Sequence, residues 1–299
     1  VALKRKPDSG ERLMLDPEFA GALRAAAPKL FTGRARGVER PIVVAGLAAA
    51  AYALAGIFLF GVPHAAGPIA AIMPDRYRAQ ISDISWSQVE TFSSYCETSG
   101  EAARILNDAA HRMMRASEVA NPDSIWITIV DARGWLGEPV PNAFALPDRS
   151  IIVTQGLIDL AGHLDELMGV IAHEIAHIER DHVMKNVVSQ IGAGIFFDVV
   201  FGGAGVGQAV AIASVNLAGL RYSRNFEAEA DERGLDYLDA AGVNPGGLAD
   251  MFDRLRAEYE PDAEGEERDR RIPALLSTHP DTRARGAQAR ARARPRRQP

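Results

Sequence analysis

The sequence predicts an α+β protein: a mainly helical domain with a small β-sheet, preceded by one transmembrane helix. Three observations carry this. Ile42 to Val62 holds 21 residues and no charge, about 30 Å as a helix, which is the thickness of a hydrocarbon core. Later stretches repeat apolar residues at helical spacing. Two runs, SIWITIV at 124–130 and SIIVT at 150–154, are rich in β-branched residues, as strands are.

The chain has 299 residues, 24 % charged and 47 % hydrophobic. That is ordinary for a folded protein and enough for one sizeable domain with appendages. The formal net charge of -6 gives no reason to expect a nucleic-acid partner. Cys96 is the one cysteine, which excludes an internal disulfide and a thiolate metal cluster.

Residues 1–40 form a polar, basic N-terminal segment, and residues 41–63 the expected anchor. An export signal has a shorter apolar stretch nearer the start, so the span reads as retained. Lys29, Arg34, Arg36 and Arg40 precede it, which favours that side facing the cytoplasm. The expectation is a single-pass protein in contact with a lipid bilayer, with the rest of the chain on the far side. Residues 64–83, with Pro68 and Pro74, read as a linker.

From residue 84 to 286 the chain reads as one domain. Residues 86–118 place Ala103, Leu106, Ala110, Met113 and Met114 near one helical face. The two strand-like runs follow, separated by turn signals. Leu164 through His182 is helical, with Leu167, Val170, Ile171, Ile175 and Ile178 as apolar anchors. Residues 187–220 are apolar but broken by Asp198 and by glycines between 202 and 207. They predict a helical hairpin covering the domain. A helix over 225–241 is closed by Gly242 and the NPGG turn, and another runs from 246 to 259. Residues 258–271 form an acidic, solvated loop, and residues 287–299 a disordered Arg/Ala-rich tail.

Chemistry concentrates in GVIAHEIAHIERDH at 169–182. Residues four apart on a helix lie one above the other, so His173 and His177 can share one ion. Glu174 is turned by about 100° from His173 and can reach a water on that ion. This is the H-E-x-x-H arrangement, two zinc ligands and a general base. The residues between them, such as Ile175 and Ala176, are apolar, as a buried metal site needs. His182, about 140° around the helix from His177, is poorly aimed at that ion and reads as a capping or packing residue. A third ligand must come from elsewhere, and Glu227, Glu229 and Asp231 are candidates. Glu227 and Asp231 share a face, so one can bind metal while the other orients a histidine. Asn142 reads as a turn-shaping residue and Trp126 as packing.

Four stretches in order resemble the M48-type zinc metallopeptidases, the gluzincin family related to Ste24, HtpX and Oma1. They are PNAFALPDRSIIVTQGLI at 141–158, LDELMGVIAHEIAHIERDH at 164–182, YSRNFEAEADERG at 222–234 and LSTHP at 276–280. The resemblance implies a gluzincin fold for residues 84–286 and one Zn²⁺ per chain, held by His173, His177 and Glu227. It implies Glu174 as the catalytic base, Asp231 as a supporting carboxylate and His279 beside the active site. Arg285 stands where that family places an arginine after the Ser-Thr-His-Pro element. The implied activity is a zinc metalloendopeptidase acting on protein or peptide substrates; the strand ending near Val153 is expected to offer an open edge to which an extended peptide adds as another strand. With the anchor, this suggests a bacterial inner-membrane enzyme with a periplasmic catalytic domain. It suggests work in quality control of misfolded membrane or envelope proteins. A scaffold that kept only the fold would not need Glu174.

Overall fold

The computed structural model describes residues 2–4, 12–14, 16–28, 39–95, 100–133, 137–201, 222–259, 275, 279 and 282–293. The glycine cluster at 202–207, the acidic loop beyond Tyr259, the end of the tail, Cys96 and Trp135 lie outside the described residues. The chain divides into two units, Val1–Ile57 and Phe58–Pro299.

The first unit holds an antiparallel strand pair, β1 (Ala2–Lys4) and β2 (Arg12–Met14), and two helices, α1 (Pro17–Ala26) and α2 (Glu39–Gly56). Here the expected anchor is corrected. Among the described residues no helix is long and apolar enough to cross a membrane. The physical reason lies at both ends of α2. It opens on Glu39 and Arg40, so its 18 residues offer less apolar length than a bilayer core of about 30 Å demands. Beyond Gly56 the regular helix gives way to a π-helical stretch, Ile57–Gly61, and Pro63 and Pro68 follow. The transmembrane part of the fold expectation falls with it. So do the bilayer as a partner, the single-pass inner-membrane location with a periplasmic domain, and the membrane-anchored quality-control role.

The second unit is mainly helical. It runs through α3 (Val62–Ala71), α4 (Asp75–Phe92), β3 (Ser93–Tyr95), α5 (Glu101–Ala116), β4 (Trp126–Ala132), β5 (Ala143–Ala145) and β6 (Ser150–Thr154). Then come α6 (Gln155–Leu160), α7 (Leu164–Glu179), α8 (His182–Phe201), α9 (Arg224–Ala241), α10 (Gly246–Tyr259) and α11 (Thr282–Ala291). The sheet has the order β3-β4-β6-β5. β4 and β6 are parallel, and the outer strands β3 and β5 are antiparallel to their neighbours. Ile151, Ile152 and Val153 on β6 are fully buried, which explains their unbroken apolar run. Trp126, expected to pack, is 61 % exposed at the start of β4.

α7 is the central element. Every residue from Glu166 to Ile178 is buried. α9 and α10 pack on it at glycines. A Cβ on Gly234 would lie 3.1 Å from the backbone of Ala172 and His173, and one on Gly169 would lie 2.7 Å from the backbone nitrogen of Leu248. The approach at Gly169 leaves no room for a side chain, and the one at Gly234 leaves almost none. α9 begins at Ser223, whose hydroxyl accepts from the Phe226 amide, and ends at Gly242 with φ 72°. Both ends therefore carry favoured capping residues, of which Gly242 was expected. Together these contacts bring the faces of α7 and α9 that carry His173 and Glu227 against each other.

Candidate metal centre

His173, His177, Glu227 and His279 each offer one ligand atom, and these atoms lie within 4.8 Å of one another. All four are buried. His173 and His177 come from adjacent turns of α7 and Glu227 from the first turn of α9. His279 follows the buried Leu275, whose carbonyl accepts its backbone N–H at 3.1 Å. The Nε2 atoms of His173 and His177 are 2.9 Å apart. His279 Nδ1 lies 3.2 Å from His173 Nε2 and 2.9 Å from Glu227 Oε1. Three buried imidazoles and a buried carboxylate form a donor set suited to zinc. The cluster therefore fits one Zn²⁺.

The carboxylates and imidazoles tune one another. Burial drives the Glu227 carboxyl upward, but His279, His177 and His173 outweigh it and hold the group far below the ordinary range. Burial, with the nearby His173, pushes the His177 imidazole well below its usual value, so the ring is neutral and ready to ligate. Asp231, opposed by burial, is pulled down to about 2 by His173 and Arg285. Its Oδ1 lies 3.0 Å from His173 Nδ1. Arg285 forks onto the same carboxylate at 2.6 and 2.7 Å and also pairs with Glu227. Asp231 thereby fixes the ring of His173 from the side away from the cluster.

Glu174 is fully buried, and burial raises its carboxyl above the ordinary range. Its Oε2 accepts the backbone N–H of Ala145 on β5 at 2.9 Å. Its Oε1 has no hydrogen-bond partner among the described residues and lies 3.5 Å from His279 Nε2. A carboxylate with one oxygen anchored and one free, beside four donor atoms, can take a proton from a water held there.

The sequence pattern together with the family resemblance pointed to His173, Glu174, His177, Glu227, Asp231 and His279, and these six meet at one place. His182 packs near the helix end, as expected, and stays out of the donor cluster, but the helix expected to run through it stops earlier. That residue is fully buried, with Nδ1 3.1 Å from His177 Nδ1 and Nε2 3.2 Å from Glu229 Oε2. α7 ends at Glu179, and Asp181 takes a left-handed φ of 56°. The turn swings His182 back toward His177, where a helical wheel cannot follow. Tyr222 was missed. It stacks on His177 with ring centroids 3.9 Å apart. Burial, with Glu174 and Glu227 nearby, keeps its phenol protonated far above the usual pH. Only its neighbourhood to the third-ligand helix could have flagged it.

Comparison with known proteins agrees with this geometry. The sequence profile of Peptidase family M48 matches residues 101–293. The chain is 27 % identical over 189 residues to Metalloprotease LoiP of Escherichia coli (strain K12), covering 56 % of this chain and 75 % of that protein. It is 29 % identical over 160 residues to Mitochondrial metalloendopeptidase OMA1 of Schizosaccharomyces pombe, covering 50 % of this chain and 42 % of that one. It is 31 % identical over 183 residues to a Protease HtpX homolog of Salinibacter ruber, covering 55 % and 61 %. The chain thus spans three quarters of the first relative but less than two thirds of the other two. The profile covers well over half of the chain and contains the whole donor cluster, and on that ground this chain belongs to peptidase family M48 as a zinc metalloendopeptidase.

Proposed function

We propose that the chain hydrolyses internal peptide bonds of extended protein segments laid along β5, with Zn²⁺ held by His173, His177 and Glu227 and with Glu174 as the base. The observation that carries this reading is the position of Glu174, tied by one oxygen to β5 and free at the other. The strand ending near Val153, β6, lies between β4 and β5. The open edge expected there falls instead to β5, which among the described residues pairs with β6 alone. Its other edge is the place for an extended peptide to add as a strand, recognised through its backbone. When bound, the ion supplies Lewis acidity to the attacking water and to the scissile carbonyl. Glu174 takes the proton of the water and passes it to the departing amine. Asp231 holds His173 in one tautomer and ring orientation. His279 either donates to the oxygen that gains charge in the transition state or fills a donor position at rest. Kinship with HtpX and Oma1 within the family is supported by identities of 31 % and 29 % to proteins of those names.

The test is a panel assayed for bound metal and for cleavage of a quenched unfolded protein. Glu174→Gln should keep one zinc and lose nearly all turnover. His173→Ala, His177→Ala and Glu227→Ala should lose zinc and activity together, and melt lower because bound metal stabilises only the folded state. His279→Ala should keep zinc and change the rate. Normal turnover in Glu174→Gln would overturn the assigned chemistry, and an unchanged rate in His279→Ala would remove both of its roles.

A further inference from the structure

The turn joining β5 to β6 holds an arginine where the backbone favours glycine. Arg149 donates its backbone N–H to Leu146 at 3.1 Å, and the Leu146 N–H returns to Ser150 at 2.8 Å. The turn is closed by Arg149 at φ 74°. That left-handed position in a tight hairpin turn suits glycine, and a residue with a Cβ is strained there. Strain kept at one position points to a use for the side chain that causes it.

The side chain is not accounted for by internal contacts. Its Nε is buried and has no hydrogen-bond partner among the described residues. It lines an open cavity of about 660 Å³ that is also lined by Leu146, Arg78 and the metal-site residue His177. Three of the four carboxylates on the same wall are held by other groups, and the fourth, Asp75, acts on Arg78. Asp181 is forked by Arg78 at 2.6 and 2.8 Å. Glu179 accepts from Arg233 and Tyr237. Asp148 accepts from the Ser150 amide and hydroxyl. The Asp181 pairing neutralises Arg78; Asp181 also draws electrostatically on Arg149 but makes no ion pair with it among the described residues.

We propose that this cavity is a substrate subsite for an aspartate or glutamate side chain within three residues of the scissile bond, held by the Arg149 guanidinium. This rests on the reading of β5 as the substrate-binding edge. Ala145, the β5 residue whose amide meets Glu174, precedes the turn directly. An extended chain laid past Glu174 therefore continues over Leu146 toward Arg149. A guanidinium in a partly dry pocket favours a carboxylate strongly over an amide of the same shape.

The experiment uses apolar quenched peptides in which one residue, at each of three positions on either side of the cleaved bond, is glutamate or glutamine. The full chain with zinc should show a roughly tenfold higher kcat/KM for glutamate at one of those positions, expressed in KM. Arg149→Gly should bring the glutamate-to-glutamine ratio to about one, keep its zinc and melt at a higher temperature, because glycine relieves the strained turn. Arg149→Lys should retain part of the preference. Peptide binding to zinc-loaded Glu174→Gln, with and without Arg149→Gly, separates the two readings. Glutamate-dependent binding without cleavage by the unmodified chain supports the subsite and overturns the peptidase role alone. No glutamate preference in cleavage or binding overturns the subsite. A lower melting temperature in Arg149→Gly with an unchanged ratio assigns Arg149 to packing and also overturns it.

Discussion

His173 and His177 sit one turn apart on the same helix, yet the networks behind them are unlike. Behind His173 stands Asp231, a carboxylate 1 % exposed and forked by the buried Arg285. Behind His177 stands another imidazole, His182, and only behind that a carboxylate, Glu229, whose side chain is 44 % exposed and also faces Arg180. The first support is a fixed charge in a dry setting. The second is a neutral ring whose charge source stands half in water. Burial draws His182 down to about 4, partly offset by Glu229, so that ring is uncharged at neutral pH. A buried charge is hardly screened, whereas an exposed one is. Two ligands of one chemical type can thus answer differently to salt and to mutation.

The contrast is broken most directly at Asp231. Asp231→Asn should weaken zinc binding by roughly 10–100-fold, the usual loss for a group that orients a ligand. It should also alter the response to acid. The folded carboxyl lies at about 2 against an ordinary 3.8. Its contribution is present above the unfolded value and is lost as pH falls from there through the folded one. The difference corresponds to about 2 kcal/mol. Melting in chelator between pH 5 and 2 should therefore fall more steeply in the parent chain than in Asp231→Asn, and parallel curves would refute the assignment.

A smaller effect is expected at His182. Its ring stacks on Phe226 with centroids 4.2 Å apart, so His182→Phe keeps the packing and removes both nitrogens. Zinc should bind about tenfold more weakly, the low end of the range for such partners. Melting of the metal-free protein should change little. Unaltered zinc release by competition with a chelator would reduce His182 to a packing residue.

The smallest effect belongs to Glu229. Glu229→Gln should shift zinc affinity by less than about fivefold, in keeping with the modest worth of exposed ion pairs. The shift should fade near 1 M salt, where screening acts over about 3 Å. A loss as large as that of His182→Phe and indifferent to salt would erase the distinction between the two supports.

What the sequence disclosed follows the same division. His173, Glu174 and His177 were readable because five consecutive residues stay on one helix and its period fixes their directions. That Glu227 and Asp231 share a face was readable for the same reason on α9, whereas their separate roles came from the family resemblance. The packing role of His182 was readable, but its contact with His177 was not, because the left-handed residue Asp181 ends that period, and a single dihedral cannot be read from composition. The grip of Arg285 on Asp231 joins residues 54 apart, which no local pattern encodes. The small sheet was visible in the β-branched runs. The apolar stretch after Pro41 was misread because its composition shows neither the π-helical break at Ile57–Gly61 nor how much apolar length remains after Glu39 and Arg40.

The close approach of Gly234 to the backbone of Ala172 and His173 has a consequence for heredity. Main chain against main chain is a mechanical stop, like the shoulder on a shaft. It sets how far Glu227 stands from the two histidines without consulting the side chains around it. Neighbouring core residues can then drift over generations while the gauge of the site stays fixed. A single methyl group added at position 234 would press on that stop at 3.1 Å, and the two helices would have to part by a few tenths of an ångström to take it.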